Sequence, residues 1–236
     1  MKLICIPYAG GNSSFFYSWK KEFDFLEVTP IELNGRGEYV KESLNDNLND
    51  AVEDLFIKLK KHSDGNDYAI FGHSMGSLLA YELYYKLVEN NLKTPKHIFF
   101  SGKKAPHLIS SLPPIHNLHL DKFIKKIKEI GGTPDAIFEH SDLLDFFIPI
   151  LRADFKIVET YKYMEKNIKI GCPVSVIGGL SDQVARPEEL IQWTELCANE
   201  CNIQFFEGGH FFIEEKKKEV IQFLKNTLDI REKMKI

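Results

Sequence analysis

The chain has 236 residues, 44% of them hydrophobic and 27% charged, with a formal net charge of −4. That length and apolar content suffice for one sizeable core, while a mild negative charge without a Lys/Arg stripe interleaved with aromatics gives nucleic-acid binding no support. No apolar run reaches the length of a membrane-spanning helix, and Met1-Lys-Leu-Ile-Cys-Ile-Pro7 is too short for a signal-peptide core, so a cytoplasmic protein is expected.

In chain order, strand-like apolar runs alternate with stretches whose apolar residues recur every three or four positions. A strand at Leu3–Ile6 runs into Pro7-Tyr-Ala-Gly-Gly11, and a second strand is predicted at Val28–Leu33. A helix at Leu48–Lys60 precedes a strand at Tyr68–Phe71, a helix at Ser77–Val88 and a strand at His97–Ser101. From about residue 103 to 161 the strands stop. Helical patterns at Asp121–Ile130 and Leu143–Val158 flank Gly131-Gly132 there. Alternation resumes with a strand at Val174–Gly178, a helix at Glu188–Leu196, a strand at Ile203–Phe206 and a helix at Glu214–Leu228. The pattern predicts an α/β protein with a mostly parallel sheet flanked by helices, in one domain over 1–236. The helical insertion at about 103–161 reads as a lid hinged at Gly131-Gly132, against the plainer alternative of two ordinary packing helices.

Other clusters carry less chemistry. Lys216-Lys-Lys218 and Arg231–Lys235 read as solvated helix faces. Cys5 sits in an apolar strand pattern, and Cys197-x-x-x-Cys201 reads as two thiols on one helical turn rather than a metal or redox site.

The segment Gly72-His-Ser74-Met-Gly76 ends a strand and opens a helix, which is the form of a nucleophile elbow of an α/β-hydrolase. Glycines two residues either side of Ser74 keep Cβ atoms out of a sharp turn, and the Met75 N–H at the helix start can donate to an oxyanion. A serine hydroxyl needs a base, and this fold orders its groups Ser, acid, His along the chain. His210 in Glu207-Gly-Gly-His-Phe211 follows the last strand, and Asp182 follows the strand before it, so His210 is the expected base and Asp182 the acid orienting it. Asp154 and Asp135 are the next candidates for the acid. His73 reads as a packing residue, and His107, His116, His119 and His140 as surface or packing residues. The glycine-rich Pro7–Gly11 loop suits a second oxyanion donor. A phosphate loop is the other reading, but neither G-x-G-x-x-G nor a Walker lysine is present.

With these residues the chain resembles the type II thioesterases, the free-standing editing thioesterases that accompany nonribosomal peptide and polyketide synthases. The resemblance covers nearly the whole length. It rests on Ile6-Pro-Tyr-Ala-Gly-Gly11, Leu33-Asn-Gly-Arg-Gly37, Phe71-Gly-His-Ser-Met-Gly76, Ser101-Gly-Lys-Lys-Ala-Pro-His107, Leu151-Arg-Ala-Asp154, Gly178-Gly-Leu-Ser-Asp182 and Gly208-Gly-His210. It implies a triad of Ser74, Asp182 and His210, with oxyanion donors in the backbone N–H groups of Met75 and Ala9. The family usually reads Pro-Gly-Arg in the second motif, where this chain has Asn34. It further implies hydrolysis, without metal or cofactor, of acyl groups from the phosphopantetheine arm of a carrier protein, clearing misprimed or stalled units in antibiotic-type biosynthesis. Carrier domains tend to be acidic, so Lys103-Lys104 is expected to guide docking or hold the phosphate of the arm, the alternative being a solvated pair. A carboxylesterase or acyl-CoA thioesterase on the same fold, and a catalytically silent binding protein, are the rival readings. A monomer is expected.

Overall fold

Six strands form one sheet in the order β2-β1-β3-β4-β5-β6, every neighbouring pair parallel: β1 (Lys2–Ile6), β2 (Glu27–Pro30), β3 (Tyr68–His73), β4 (Ile98–Ser101), β5 (Val174–Gly179) and β6 (Cys201–Phe206). This computed structural model describes residues 1–63, 65–109 and 113–233, the last four as backbone. Parallel strands need crossovers, and helices on both faces supply them. One face packs Ile4, Ile6, Ile70, Phe100 and Val176 against α1 (Leu48–Ser63) and α2 (Met75–Glu89). The other packs Leu3, Phe71, Phe99 and Ile177 against Trp19, α7 (Phe212–Glu215) and α8 (Lys217–Lys233). With both faces covered, β1, β3, β4 and β5 are mostly apolar and buried almost end to end, whereas edge strand β6 alternates between exposed and partly buried residues before ending on buried Phe206.

Several boundaries depart from the sequence reading. β2 stops at Pro30 instead of Leu33, because its partner β1 ends at Ile6 and no ladder remains beyond the Cys5–Pro30 pair; Ile31 and Leu33 are nevertheless buried. The predicted helix at Glu188–Leu196 is a short α6 (Pro187–Ile191) continued by a 3₁₀ turn, and that at Glu214–Leu228 is broken at Lys216 between α7 and α8. Cys197 ends that 3₁₀ turn and Cys201 opens β6, so the two do not share a helical turn; the Cys197 thiol donates to the Trp193 carbonyl at 3.4 Å, and none of the four cysteines is in a disulfide. Lys216 pairs with Glu219 and Lys218 is exposed, whereas the side chains of Arg231–Lys235 lie outside the described residues.

Between β4 and β5 come α3 (Leu120–Ile130), α4 (Asp135–Glu139) and α5 (Ser141–Glu159), which build a small core of their own from Ile115, Phe123, Ile127 and Leu151. Residues 110–112 of this insertion lie outside the described residues. The Glu159 carboxylate accepts from the Ile115 and His116 N–H groups at 2.7 and 3.0 Å and lies 2.6 Å from the His116 ring, tying the segment before α3 to the end of α5. Among the described residues no helix is long and apolar enough to cross a membrane.

Candidate active site

The turn from β3 into α2 holds Ser74 at φ 52°, ψ −114°, a left-handed backbone that a side chain rarely adopts. It can form because the flanking positions have no Cβ. One at Gly72 would lie 2.3 Å from the Gly76 carbonyl oxygen, and one at Gly76 would lie 2.2 Å from that of Ile6. The Ser74 N–H donates to the Ser101 carbonyl at 2.7 Å, fastening the turn to the end of β4.

Two loops from neighbouring strand ends converge on the serine. After β5, Asp182 is 1% exposed, and its Oδ1 accepts from the N–H groups of Val184 and Ala185 at 2.7 and 3.1 Å. After β6, the Gly208 carbonyl accepts from the Ser181 N–H at 2.9 Å, and this close approach needs Gly179, where a Cβ would lie 2.3 Å from the Gly209 oxygen. The loop so pinned presents His210. Its Nδ1 is 2.8 Å from Asp182 Oδ2 and its Nε2 is 3.0 Å from Ser74 Oγ. A carboxylate only accepts, so Nδ1 carries the proton and Nε2 is left to accept from the hydroxyl. This geometry makes a serine hydroxyl nucleophilic and stores the displaced proton beside a negative charge.

The other expected site residues fall as follows. Met75 is the first residue of α2, and Ala9 lines the same cavity as Ser74 and His210; among the described residues neither N–H has a protein acceptor. Asp154 and Asp135 stand apart from the imidazole: Asp154 is paired with Arg36, and Asp135 lies 3.8 Å from Lys128 at the start of α4. Lys103 and Lys104 are half-buried, not a solvated pair. Lys104 Nζ donates to the Ile109 carbonyl at 3.1 Å and lies 3.9 Å from Glu189, while burial and then the charge of Lys104 push the Lys103 ammonium down to about 8. Both line a cavity of about 360 Å³ that also contains Ser74, Gly102 and His210. Under α3 and α5 a second space of about 20 Å³ reaches Ser74, walled by Ile130, Leu151, Phe155 and Phe211.

His73 packs as the sequence reading expected, and Gly102, to which that reading gave no role, makes room for it. His73 is fully buried with Nδ1 2.8 Å from Ser101 Oγ and its ring 5.2 Å from that of His210; burial, and then the charge His210 would carry, hold it well below the ordinary histidine range, so it is a neutral spacer behind the base. Gly102, at φ +58°, leaves room for that spacer, since a Cβ there would sit 2.7 Å from His73 Cε1 and 3.5 Å from His210 Cε1. The only local signal was a glycine directly after a strand.

Comparison with known proteins agrees with this architecture. A thioesterase domain model matches residues 1–228. Gramicidin S biosynthesis protein GrsT of Aneurinibacillus migulanus is 32% identical over 225 residues, covering 95% of this chain and 87% of that protein. The medium-chain S-acyl fatty acid synthase thioesterase of Homo sapiens is 30% identical over 231 residues, covering 96% and 85%. Among solved structures, ClbQ from the colibactin NRPS/PKS pathway superposes with a TM-score of 0.94 at 31% identity, covering 99% of this chain and 98% of that one. The chain therefore belongs to the thioesterase family and is a serine hydrolase of the α/β-hydrolase fold.

Proposed function

We propose that the protein is an editing thioesterase of the cytoplasm that removes short acyl groups from the phosphopantetheine arm of carrier proteins in a peptide or polyketide synthase. The observation that carries this reading is the Ser74–His210–Asp182 chain of contacts, at 3.0 and 2.8 Å, opening on two unequal spaces. Ser74 Oγ attacks the thioester carbonyl as its proton passes to His210 Nε2, and the oxyanion lies against the Met75 and Ala9 N–H groups. Collapse breaks the carbon–sulfur bond, and the thiolate leaves with the proton from His210. Water, deprotonated by His210, then releases the acid from Ser74. The residues at about 103–161 act as a lid on a single 1–236 domain. The wide cavity admits the arm and the narrow one takes the acyl group, which favours short chains. Similarity to a gramicidin S biosynthesis protein and to a protein of an NRPS/PKS pathway supports the synthase setting.

Lys103 and Lys104 at the wide mouth receive the acidic carrier surface or the arm's phosphate. The net charge of −4 opposes long-range attraction to an acidic partner, so this steering is local. The test compares kcat/KM on acetyl-loaded carrier protein, acetyl-CoA and a simple acetate ester, for the natural protein and for Lys103→Gln with Lys104→Gln. The carrier substrate should be preferred, and the double variant should raise KM several-fold for it alone, with the gap closing as salt rises. Equal rates on the ester and the carrier thioester would refute the reading.

A further inference from the structure

Two of the sequence motifs have no part in the chemistry above, yet they meet at one buried point. Arg36 sends Nη2 to Asp154 Oδ1 at 2.6 Å and Nη1 to Oδ2 at 2.7 Å, with the two side chains 4% and 0% exposed. Burial alone would lower the arginine's affinity for its proton, and Asp154, with the charges of Glu32 and Asp54, more than restores it. A buried ion pair is no better for stability than apolar residues of the same volume, and Arg36 Nε has no partner among the described residues, so folding alone does not explain the pair.

Its remaining contacts go to one place. Asp154 Oδ2 accepts the Gly10 N–H at 2.7 Å, and Arg36 Nη1 donates to the Gly11 carbonyl at 3.1 Å. Residues 8–11 form a β-turn closed by the Gly11 N–H on the Tyr8 carbonyl at 2.9 Å, and Gly10 at φ +76° with no positive φ at Ala9 makes it type II. Types I and II differ by a flip of the central peptide, whose N–H belongs to Gly10. The Tyr8 carbonyl and the Ala9 N–H share the preceding peptide plane and point opposite ways. The Gly11–Tyr8 bond orients the Ala9 N–H away from the turn, and the carboxylate on the Gly10 N–H with the guanidinium on the Gly11 carbonyl holds that turn in place. Leu151, one turn before Asp154 on α5, roofs the same spot, since a Cβ on Gly10 would lie 2.3 Å from its Cδ2.

The loop that carries Arg36 is held in turn, two residues before it. Lys58, nearly buried, donates to Asn34 Oδ1 at 2.8 Å, the Glu32 carbonyl at 2.9 Å and Asp54 at 2.8 Å, with its ammonium 3.7 Å from the centre of the Tyr39 ring. Asn34 is thus a clamp point for the arginine loop. From this we infer that Lys58–Asn34 and Arg36–Asp154 form one positioning relay that sets the turn carrying the Ala9 oxyanion donor. The inference rests on the proposed role of Ala9, and Asp154 and Arg36 are positioning residues, touching no substrate.

The test uses a short acyl thioester of N-acetylcysteamine and butylboronic acid, which becomes a tetrahedral anion on a nucleophilic serine. Asp154→Asn should lower kcat about 10- to 100-fold, part of what loss of an oxyanion donor costs, with KM within about threefold. The boronic acid inhibition constant should rise in step with the loss of kcat/KM. Asn34→Ala, a milder change should Asp154→Asn fail to fold, should show the same split at about 3- to 10-fold. Folded variants that keep kcat, or that lose kcat while binding the boronic acid as before, would overturn the relay. Failure of the underlying site reading shows separately, as a Ser74→Ala protein that still hydrolyses the thioester.

Discussion

Ser74 and His210 were legible because each announces itself over five residues, by glycines that only a strained or closely approached backbone requires. Asp182 followed from chain order. What could not be read locally were contacts made at long range. Arg36 and Asp154 are 118 residues apart, and nothing near either one indicates the other. His73 likewise looks like filler until its ring is seen behind His210, among Tyr8, Phe211 and Phe212. Its burial has a measurable consequence. The folded imidazole stays neutral while the unfolded one titrates near 6.5, so below that pH the unfolded state binds the extra proton and stability falls as pH drops. Urea unfolding from pH 7 to pH 5 should show the natural protein losing up to about 1.4 kcal/mol per pH unit more than His73→Gln. Parallel pH slopes for the two proteins would contradict this.

Elements buried on both sides were the easiest to find, since β1, β3, β4 and β5 are mostly apolar and flanked by turn residues. Short or irregular elements escaped. The 3₁₀ turn at Ser13–Trp19 has no helical period long enough to register, and α4 is five residues between Pro134 and His140. Gly131-Gly132, expected as a hinge, ends α3 with both residues at positive φ and packs on Phe211 beside the base. Tyr8 Oη donates to the Gly132 carbonyl at 3.3 Å, so the junction touches the glycine-rich loop after β1 as well. A methyl at Gly132 would lie 1.9 Å from Phe211 Cζ at φ +77°, whereas one at Gly131 meets nothing nearer than 3.4 Å. Gly132→Ala should cost roughly 1–3 kcal/mol and lower kcat by displacing Phe211, with Gly131→Ala the milder change. Thermal unfolding and kcat measured side by side decide this, and a Gly132→Ala protein indistinguishable from the natural one would show that the ring and the glycine do not pack as described.

At the scale of the molecule, every working group sits at the carboxyl end of the sheet. The elbow follows β3, Gly102 and the lysine pair follow β4, Asp182 follows β5, His210 follows β6, and the glycine-rich loop proposed to carry an oxyanion donor follows β1. Alternation of strands and helices was enough to predict this frame, because parallel strands joined by helices bring their carboxyl ends to one edge. The packing of α3–α5 over that edge depends on contacts between distant segments, such as Glu159 with residues 115 and 116. The central claim is that this edge makes an acyl-enzyme at Ser74. Its most direct test is rapid acid quenching of the protein with acetyl-loaded carrier protein, followed by mass analysis of the peptide containing Ser74. The account predicts an added acetyl group on Ser74 that forms and decays at rates consistent with turnover, and none in Ser74→Ala, which also loses activity by several orders of magnitude. An acetyl group found on another residue, or a Ser74→Ala protein that keeps its rate, would contradict it.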